Sequence, residues 1–188
     1  MQSKVRANIE LTAQLIIAVA VVVAAAALVK RTFFPGQGNP NLPRISAGER
    51  LNVPNIDWKQ NQKTLVFFLK RDCPYCTTSA PFYRQLIEDA SKRNVKSVAI
   101  LPNSIDEAHK YLQYLELPIE DVKTGPLASY KISGTPTVLF VDSQGIVRSA
   151  WFGAQTEREK EMRDKLIELF DAKASNETSA KQETLNKR

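Results

Sequence analysis

Histidine is nearly absent from this chain, one in 188 residues, and cysteine is scarce, with two. Two cysteines cannot staple a disulfide-dense scaffold. With a single histidine they also fall short of a four-ligand Cys/His zinc site within one chain. Net charge is nearly missing from the middle. Of the net +6, residues 1–31 hold +3 and residues 172–188 hold +2, which leaves +1 for residues 32–171. A nucleic-acid domain needs a basic patch there, so the pI near 9.3 reads as a membrane flank and a solvated tail, with no nucleic-acid partner. Internal repeats are absent too. What is present is length for one ordinary domain plus an appendage. The 43% hydrophobic fraction is enough to fill a core and excludes disorder throughout.

Leu15 to Val29 is an unbroken apolar run, and extended back to Leu11 it admits only Thr12 and Gln14. As a helix this stretch spans roughly 28 Å, close to a hydrocarbon core of roughly 30 Å. Lys4 and Arg6 precede it, and Lys30 and Arg31 end it. The competing reading is a cleaved signal peptide, with Ala24–Ala27 offering an A-x-A site. An uncleaved anchor is favoured, because the apolar run continues through Leu28 and Val29 and two cations follow. A soluble buried helix is a weaker third reading, since no polar face appears. Positive charge on both sides gives little orientational contrast. A lone anchor ahead of a domain favours N-terminus in, domain out, which makes a single-pass inner-membrane protein with an extracytoplasmic domain.

The resulting organisation is a short segment at 1–10, a transmembrane anchor at 11–31, a Pro/Gly-rich tether at 32–45, a folded domain at 46–171 and a disordered tail at 172–188. Prolines and glycines between Pro35 and Pro43 block helix and strand alike. Continuous apolar runs predict buried strands at Thr64–Leu69, Val95–Leu101 and Thr137–Val141. Asp142–Gly145 reads as a turn, and Ile146–Trp151 as an antiparallel return ended by Gly153. Helical spacing predicts helices over Pro81–Lys92, Ser104–Leu117 and Thr156–Phe170. Ser104 and Glu107 form a capping box at the start of the second. The order β-α-β-α-β-β-α implies a mixed sheet, parallel in part with an antiparallel edge.

Cys73-Pro74-Tyr75-Cys76 falls just after the first strand and just before a helix. That placement puts the first sulfur at the positive end of the helix dipole, which favours the attacking thiolate. Pro74 suits a first helical turn. Cys76, one turn on, faces back and can resolve a mixed disulfide. Two core cysteines, or half of a zinc site shared across a dimer, would also account for the pair. The strand–motif–helix context weighs toward redox chemistry.

On these residues the chain resembles the thioredoxin-like superfamily. The match is carried by Cys73–Cys76 after the strand, by Gly134-Thr135-Pro136-Thr137 opening the next one, and by the hairpin Val141–Val147 with Trp151-Phe152-Gly153 at its end. The inserted helix Ser104–Leu117 and the return Pro118–Pro126 look like the membrane-anchored or exported thiol-disulfide oxidoreductases of the TlpA and redoxin type. The resemblance covers about residues 46–170. It implies an α/β fold with a mixed central sheet flanked by helices. It implies a cis Pro136 beside Cys73, with the backbone of Thr135 pairing with an extended substrate segment. Tyr75 is expected to be exposed and open to substrate contact.

By that resemblance Cys73 is the nucleophile and Cys76 the resolving thiol, with no metal and no organic cofactor. The partners are protein thiols and disulfides, with a membrane electron donor or acceptor for recycling, and the chain is expected to act as a reductant. Three positions depart from the family pattern. Asp72 stands where relatives carry Trp, Phe67 where thioredoxins keep a buried acid, and Lys96 or Ser97 where TlpA-type relatives carry a Glu. Proton transfer at Cys76 must then use water or another group. The Pro-Tyr interior matches glutaredoxins, which would make glutathione the partner. A non-catalytic tethered module using the cis-Pro groove competes with the enzyme reading, and so does a metal-trafficking protein. His109 reads as a solvated-face residue, and Trp151 and Phe152 as core or rim aromatics. Asn176-Glu177-Thr178 fits a glycosylation sequon within the tail.

Overall fold

The structure, a computed structural model, describes Gln14 and residues 44–172. The segments expected at 1–10 and 11–31, nearly all of the tether and tail, and the Asn176 sequon therefore lie outside the described residues. No helix among the described residues is long and apolar enough to cross a membrane.

The domain is built on a five-stranded sheet with β1 (Lys63–Phe68) at its centre, in the order β3-β2-β1-β4-β5. Strands β2 (Lys96–Leu101) and β3 (Asp121–Thr124) run parallel to β1 and to each other, while β4 (Thr137–Asp142) and β5 (Val147–Phe152) add antiparallel partners on its other side. Leu65, Phe67 and Leu69 face one apolar cluster, and Val66 and Phe68 face a second. Burial on both faces explains why the segment reads as a continuous apolar run. The first cluster is filled by α3 (Ala80–Ser91), α4 (Ile105–Tyr114) and α5 (Glu159–Asp171), through Tyr83, Leu86, Leu112, Met162 and Leu166 among others. The second is closed by Ile45, Leu51 and Val53, by Ile132, and by Trp58 from the short α1 (Trp58–Asn61). Packing is already established at Ile45, whose N–H donates to the Lys131 carbonyl at 3.1 Å.

The expected helix at Pro81 begins at Ala80 and is preceded by another. A short helix α2 (Pro74–Thr78) precedes α3, with Ser79 between them. Pro81 has no N–H to return to the Thr77 carbonyl, so the ladder is interrupted there. The return Pro118–Pro126 holds β3, a four-residue edge strand that the sequence pattern did not predict. The sheet is antiparallel on the whole β4 side of β1, not only in the last hairpin. Helix α4 keeps its capping box: Ser104 Oγ accepts from the Glu107 N–H and the Glu107 carboxylate from the Ser104 N–H. It ends at Tyr114, where Glu116 takes φ 54° and the Leu117 N–H bonds to the Leu112 carbonyl at 3.0 Å. That left-handed cap turns the chain toward β3.

Asp89 on α3 is the one buried carboxylate among the described residues, and Arg163 of α5 holds both its oxygens, at 2.7 and 3.3 Å. Arg163→Ala leaves this buried carboxylate without its ion-pair partner, since Arg93 reaches Asp89 only at its backbone carbonyl. It is expected to lower the unfolding free energy by about 2 kcal/mol, the scale of a hydrogen bond to a charged group. Urea unfolding of the reduced protein measures this, and an unchanged midpoint would show that the clamp contributes nothing.

Candidate active site

The site forms where the chain leaves the buried centre of the sheet. Leu69 is still buried, its N–H donating to the Ile100 carbonyl at 3.1 Å, whereas Lys70, Arg71 and Asp72 are exposed. Cys73 then caps α2, and the N–H groups of Cys76 and Thr77 donate to its carbonyl at 3.0 and 3.4 Å. With Pro74 at the first helical position no donor is wasted. Both cysteines are free thiols; Cys73 is half-buried and Cys76 fully buried behind it. Tyr75, expected to be exposed, is half-buried beside them.

The second wall is the loop before β4. Thr135–Pro136 is the one cis peptide bond among the described residues. The loop is held from several directions. The Gly153 N–H donates to the Pro136 carbonyl at 2.7 Å, the Thr137 hydroxyl to the Gly134 carbonyl at 2.8 Å, and Arg44 Nε to Ser133 Oγ at 3.0 Å. Gly153 sits at φ 77°, where a side chain is strained, so a glycine at the end of β5 serves the turn that reaches Pro136. The result is contact: the Cys73 thiol donates to the Thr135 carbonyl at 3.1 Å. Thus Cys73, Cys76, Thr135 and Pro136 stand together, with Tyr75 at their border.

Electrostatically the two thiols differ. Burial pushes the Cys76 thiol up to about 12, against a smaller downward pull from the Lys70 backbone. Among the described residues no buried carboxylate lies beneath it. Phe67 stands at that position of β1, its ring edge-on to Tyr83 with centroids 5.4 Å apart, and the single buried acid is Asp89, held by Arg163. Lys96 and Ser97 lie at the opposite end of β2, facing Thr64 and Leu65. Tyrosine hydroxyls line the site instead. Burial raises the pKa of Tyr83 and of Tyr111, and the Tyr111 hydroxyl is 3.3 Å from Thr77 Oγ1. Sequence reasoning missed both. Their only signal was a Tyr on the inward side of each helix, which also reads as core. His109 is exposed on α4, and Trp151 and Phe152 pack at the rims of the two clusters.

A half-buried thiol in front of a buried one, against a cis-proline loop on this sheet, defines a thioredoxin-like thiol-disulfide oxidoreductase, a class that exchanges with protein thiols and disulfides. The AhpC/TSA family model matches residues 42–150, and the chain belongs to that family. No curated protein sequence matches the chain. Among solved structures it is similar to the thioredoxin domain of a thiol-disulfide oxidoreductase from Bacteroides vulgatus, with 15% identity, 65% of this chain and 99% of that one covered, and TM-score 0.53. A thiol:disulfide interchange protein from Bacteroides sp. aligns at 15% identity over 76% of this chain and 93% of its own, with TM-score 0.51. Peroxidoxin BcpB from Mycobacterium tuberculosis aligns at 10% identity over 69% and 100%, with TM-score 0.54. At these identities the likeness is one of fold.

The burial of Cys76 gives a pH prediction. In Cys73→Ser protein, alkylation of Cys76 by iodoacetamide is expected to stay slow at about pH 8–9 and to keep rising beyond about pH 10. Only the ionised thiol reacts, and burial disfavours it. A plateau reached by about pH 9 would mean an ordinary, solvated thiol.

Proposed function

We propose that the chain is a membrane-tethered thiol-disulfide oxidoreductase that reduces disulfides of extracytoplasmic proteins. The observation that carries the reading is the Cys73 sulfur, half-exposed at 3.1 Å from the Thr135 carbonyl, with Cys76 buried one turn behind it. The Cys73 thiolate attacks one sulfur of a substrate disulfide; a Cys73–substrate bond forms and the other substrate sulfur leaves as thiolate. Cys76 gives up its proton and attacks Cys73. The Cys73–Cys76 disulfide forms and the second substrate sulfur leaves. Two electrons pass to the substrate, and its two thiolates take up protons. During the first step the Thr135 backbone and Pro136 align the substrate strand, with Tyr75 at its edge. The couple needs no metal and no organic cofactor. A membrane donor restores the dithiol. Tethering rests on the apolar run Leu11–Val29 with cations at both ends.

Cys73→Ser is expected to reduce disulfide exchange to the uncatalysed rate. Cys76→Ser is expected to accumulate Cys73-linked mixed disulfides, visible on non-reducing gels. Catalysis surviving in Cys73→Ser would remove the proposal. The midpoint potential of the pair fixes direction: a value near about −270 mV, in the range of thioredoxin, marks a reductant, and one near about −120 mV marks a strong oxidant. Deletion of residues 1–31 is expected to release the protein from membranes after carbonate washing.

A further inference from the structure

One feature beside the cysteines takes no part in the exchange chemistry. A groove of about 700 Å³ runs between the active-site segment and helix α4, lined by Arg71, Asp72, Thr77, Lys110, Tyr111 and Tyr114, with Glu107 at its edge. None of these residues belongs to the cis-proline loop, so the groove leaves the thiols on another side. Its reacting end is fixed, because Asp72 immediately precedes Cys73 and Thr77 immediately follows Cys76.

The far wall is aromatic. Tyr111 and Tyr114 stack with centroids 6.4 Å apart and planes at 19°. Tyr111 is buried and anchored through its hydroxyl to Thr77, whereas Tyr114 is 72% exposed. Tyr114 and Ile105, 45% exposed, are the exposed large hydrophobic residues among those described, and both lie on α4. A tyrosine held flat against a buried tyrosine, with its outer face in water, is an unpartnered stacking platform.

The charges of the groove give it a direction. Arg71 and Glu107 neutralise each other at 3.2 Å, and Glu107 also serves the Ser104 cap. Asp72, at the cysteine end, makes no ion pair among the described residues, and Lys110, next to the tyrosines, makes none at contact distance, its charge acting on Glu107 from one turn along the helix. An extended segment leaving the attacked cysteine along this groove meets a carboxylate first, then the aromatic platform and an ammonium.

We propose that this groove is a specificity subsite for the substrate polypeptide. It receives an aromatic side chain two or three residues from the attacked cysteine, on Tyr114, and an acidic side chain just beyond, at Lys110. The inference rests on the thiol-disulfide reading above and adds to it which protein disulfides are chosen. It also gives a task to the helix inserted between β2 and β3.

The test uses the full-length reduced chain and stopped-flow rates of mixed-disulfide formation with synthetic peptide disulfides of equal length. One peptide carries Cys-Ala-Phe-Glu, a second replaces Phe by Ala, and a third replaces Glu by Lys. Hydroxyethyl disulfide serves as a probe of the exchange chemistry itself. The Phe peptide is expected to react about fivefold faster than the Ala peptide, the scale of one aromatic contact. The Glu peptide is expected to outpace the Lys peptide about twofold at low salt, and that gap closes as salt is raised. Tyr114→Ala is expected to erase the aromatic preference. Lys110→Glu, at an exposed position where folding is not at stake, is expected to reverse the charge preference. Equal rates for all three peptides, with hydroxyethyl disulfide reacting normally, overturn the subsite and leave the enzyme reading standing. Failure to react with any disulfide overturns the reading beneath it. A missing preference together with self-association that Tyr114→Ala abolishes assigns the surface to a second copy of the chain and likewise overturns the subsite.

Discussion

Strand β1 has no solvent face, and the reacting end of the molecule depends on that. Its side chains from Thr64 onward are fully buried, alternating between two apolar clusters, and its ladder with β4 pairs Phe68 with Thr137. A slip of one residue would exchange the faces of every side chain, so the register is fixed by the whole core. Fixing Phe68 opposite Thr137 places the loop after β1 opposite the loop before β4. Cys73 and Thr135 are therefore brought to hydrogen-bond distance by burial some residues away from either. The chemistry of the loop is free to vary while its position is not.

The same burial makes the two thiols chemically unlike. Cys76 lies inside the cluster that contains Leu69 and Ala80, where a charge is costly and a neutral thiol is not. It stays protonated, while Cys73 in front of it is half-exposed, an arrangement that suits the proposed resolving thiol and nucleophile. Phe67 reinforces this. In place of a buried carboxylate there is an aromatic ring packed on Tyr83, which adds stability to the core and removes a proton acceptor. In the proposed exchange the leaving substrate thiolate then serves as the final proton acceptor. The hydroxyls of Tyr83, Tyr111 and Thr77 are among the polar groups of the surroundings.

Much of this was legible in the chain. The apolar runs of β1, β2 and β4, the cysteine motif between strand and helix, and the Ser104–Glu107 capping box are local signals, and local signals survive folding. What was not legible is either short, polar or distant in sequence. Edge strand β3 alternates Asp121 and Lys123 with Val122 and Thr124, and four residues give no periodicity to read. The break at Ser79 follows from Pro81, but a proline near a helix start does not announce that a further short helix precedes it. The Asp89–Arg163 clamp spans 74 positions, and nothing in either neighbourhood announces it. In the candidate site the sulfurs and the proline loop were found, whereas the tyrosines of the helices were not, because a tyrosine at helical spacing looks the same in a core and in a groove wall.

The position of that groove follows from topology. Strands β1 and β2 are parallel, so both end on the same side of the sheet, and the segments that follow them must emerge side by side. Ligand sites in such sheets gather at the carboxyl ends of the strands for this reason. After β1 comes the active-site segment; after β2 comes the cap of α4. The Arg71–Glu107 pair joins the two at 3.2 Å, exposed and worth little as stabilisation, yet placed so that the first turn of α4 faces the loop that carries Cys73. Any helix inserted after β2 would therefore begin beside the Cys73 segment. An insertion there changes what surrounds the thiols without disturbing the β1–β4 register that holds them, and Tyr111 and Tyr114 lie on its groove side. Sheet order alone makes the helix after β2 the place where substrate selection can be built at least cost to the fold.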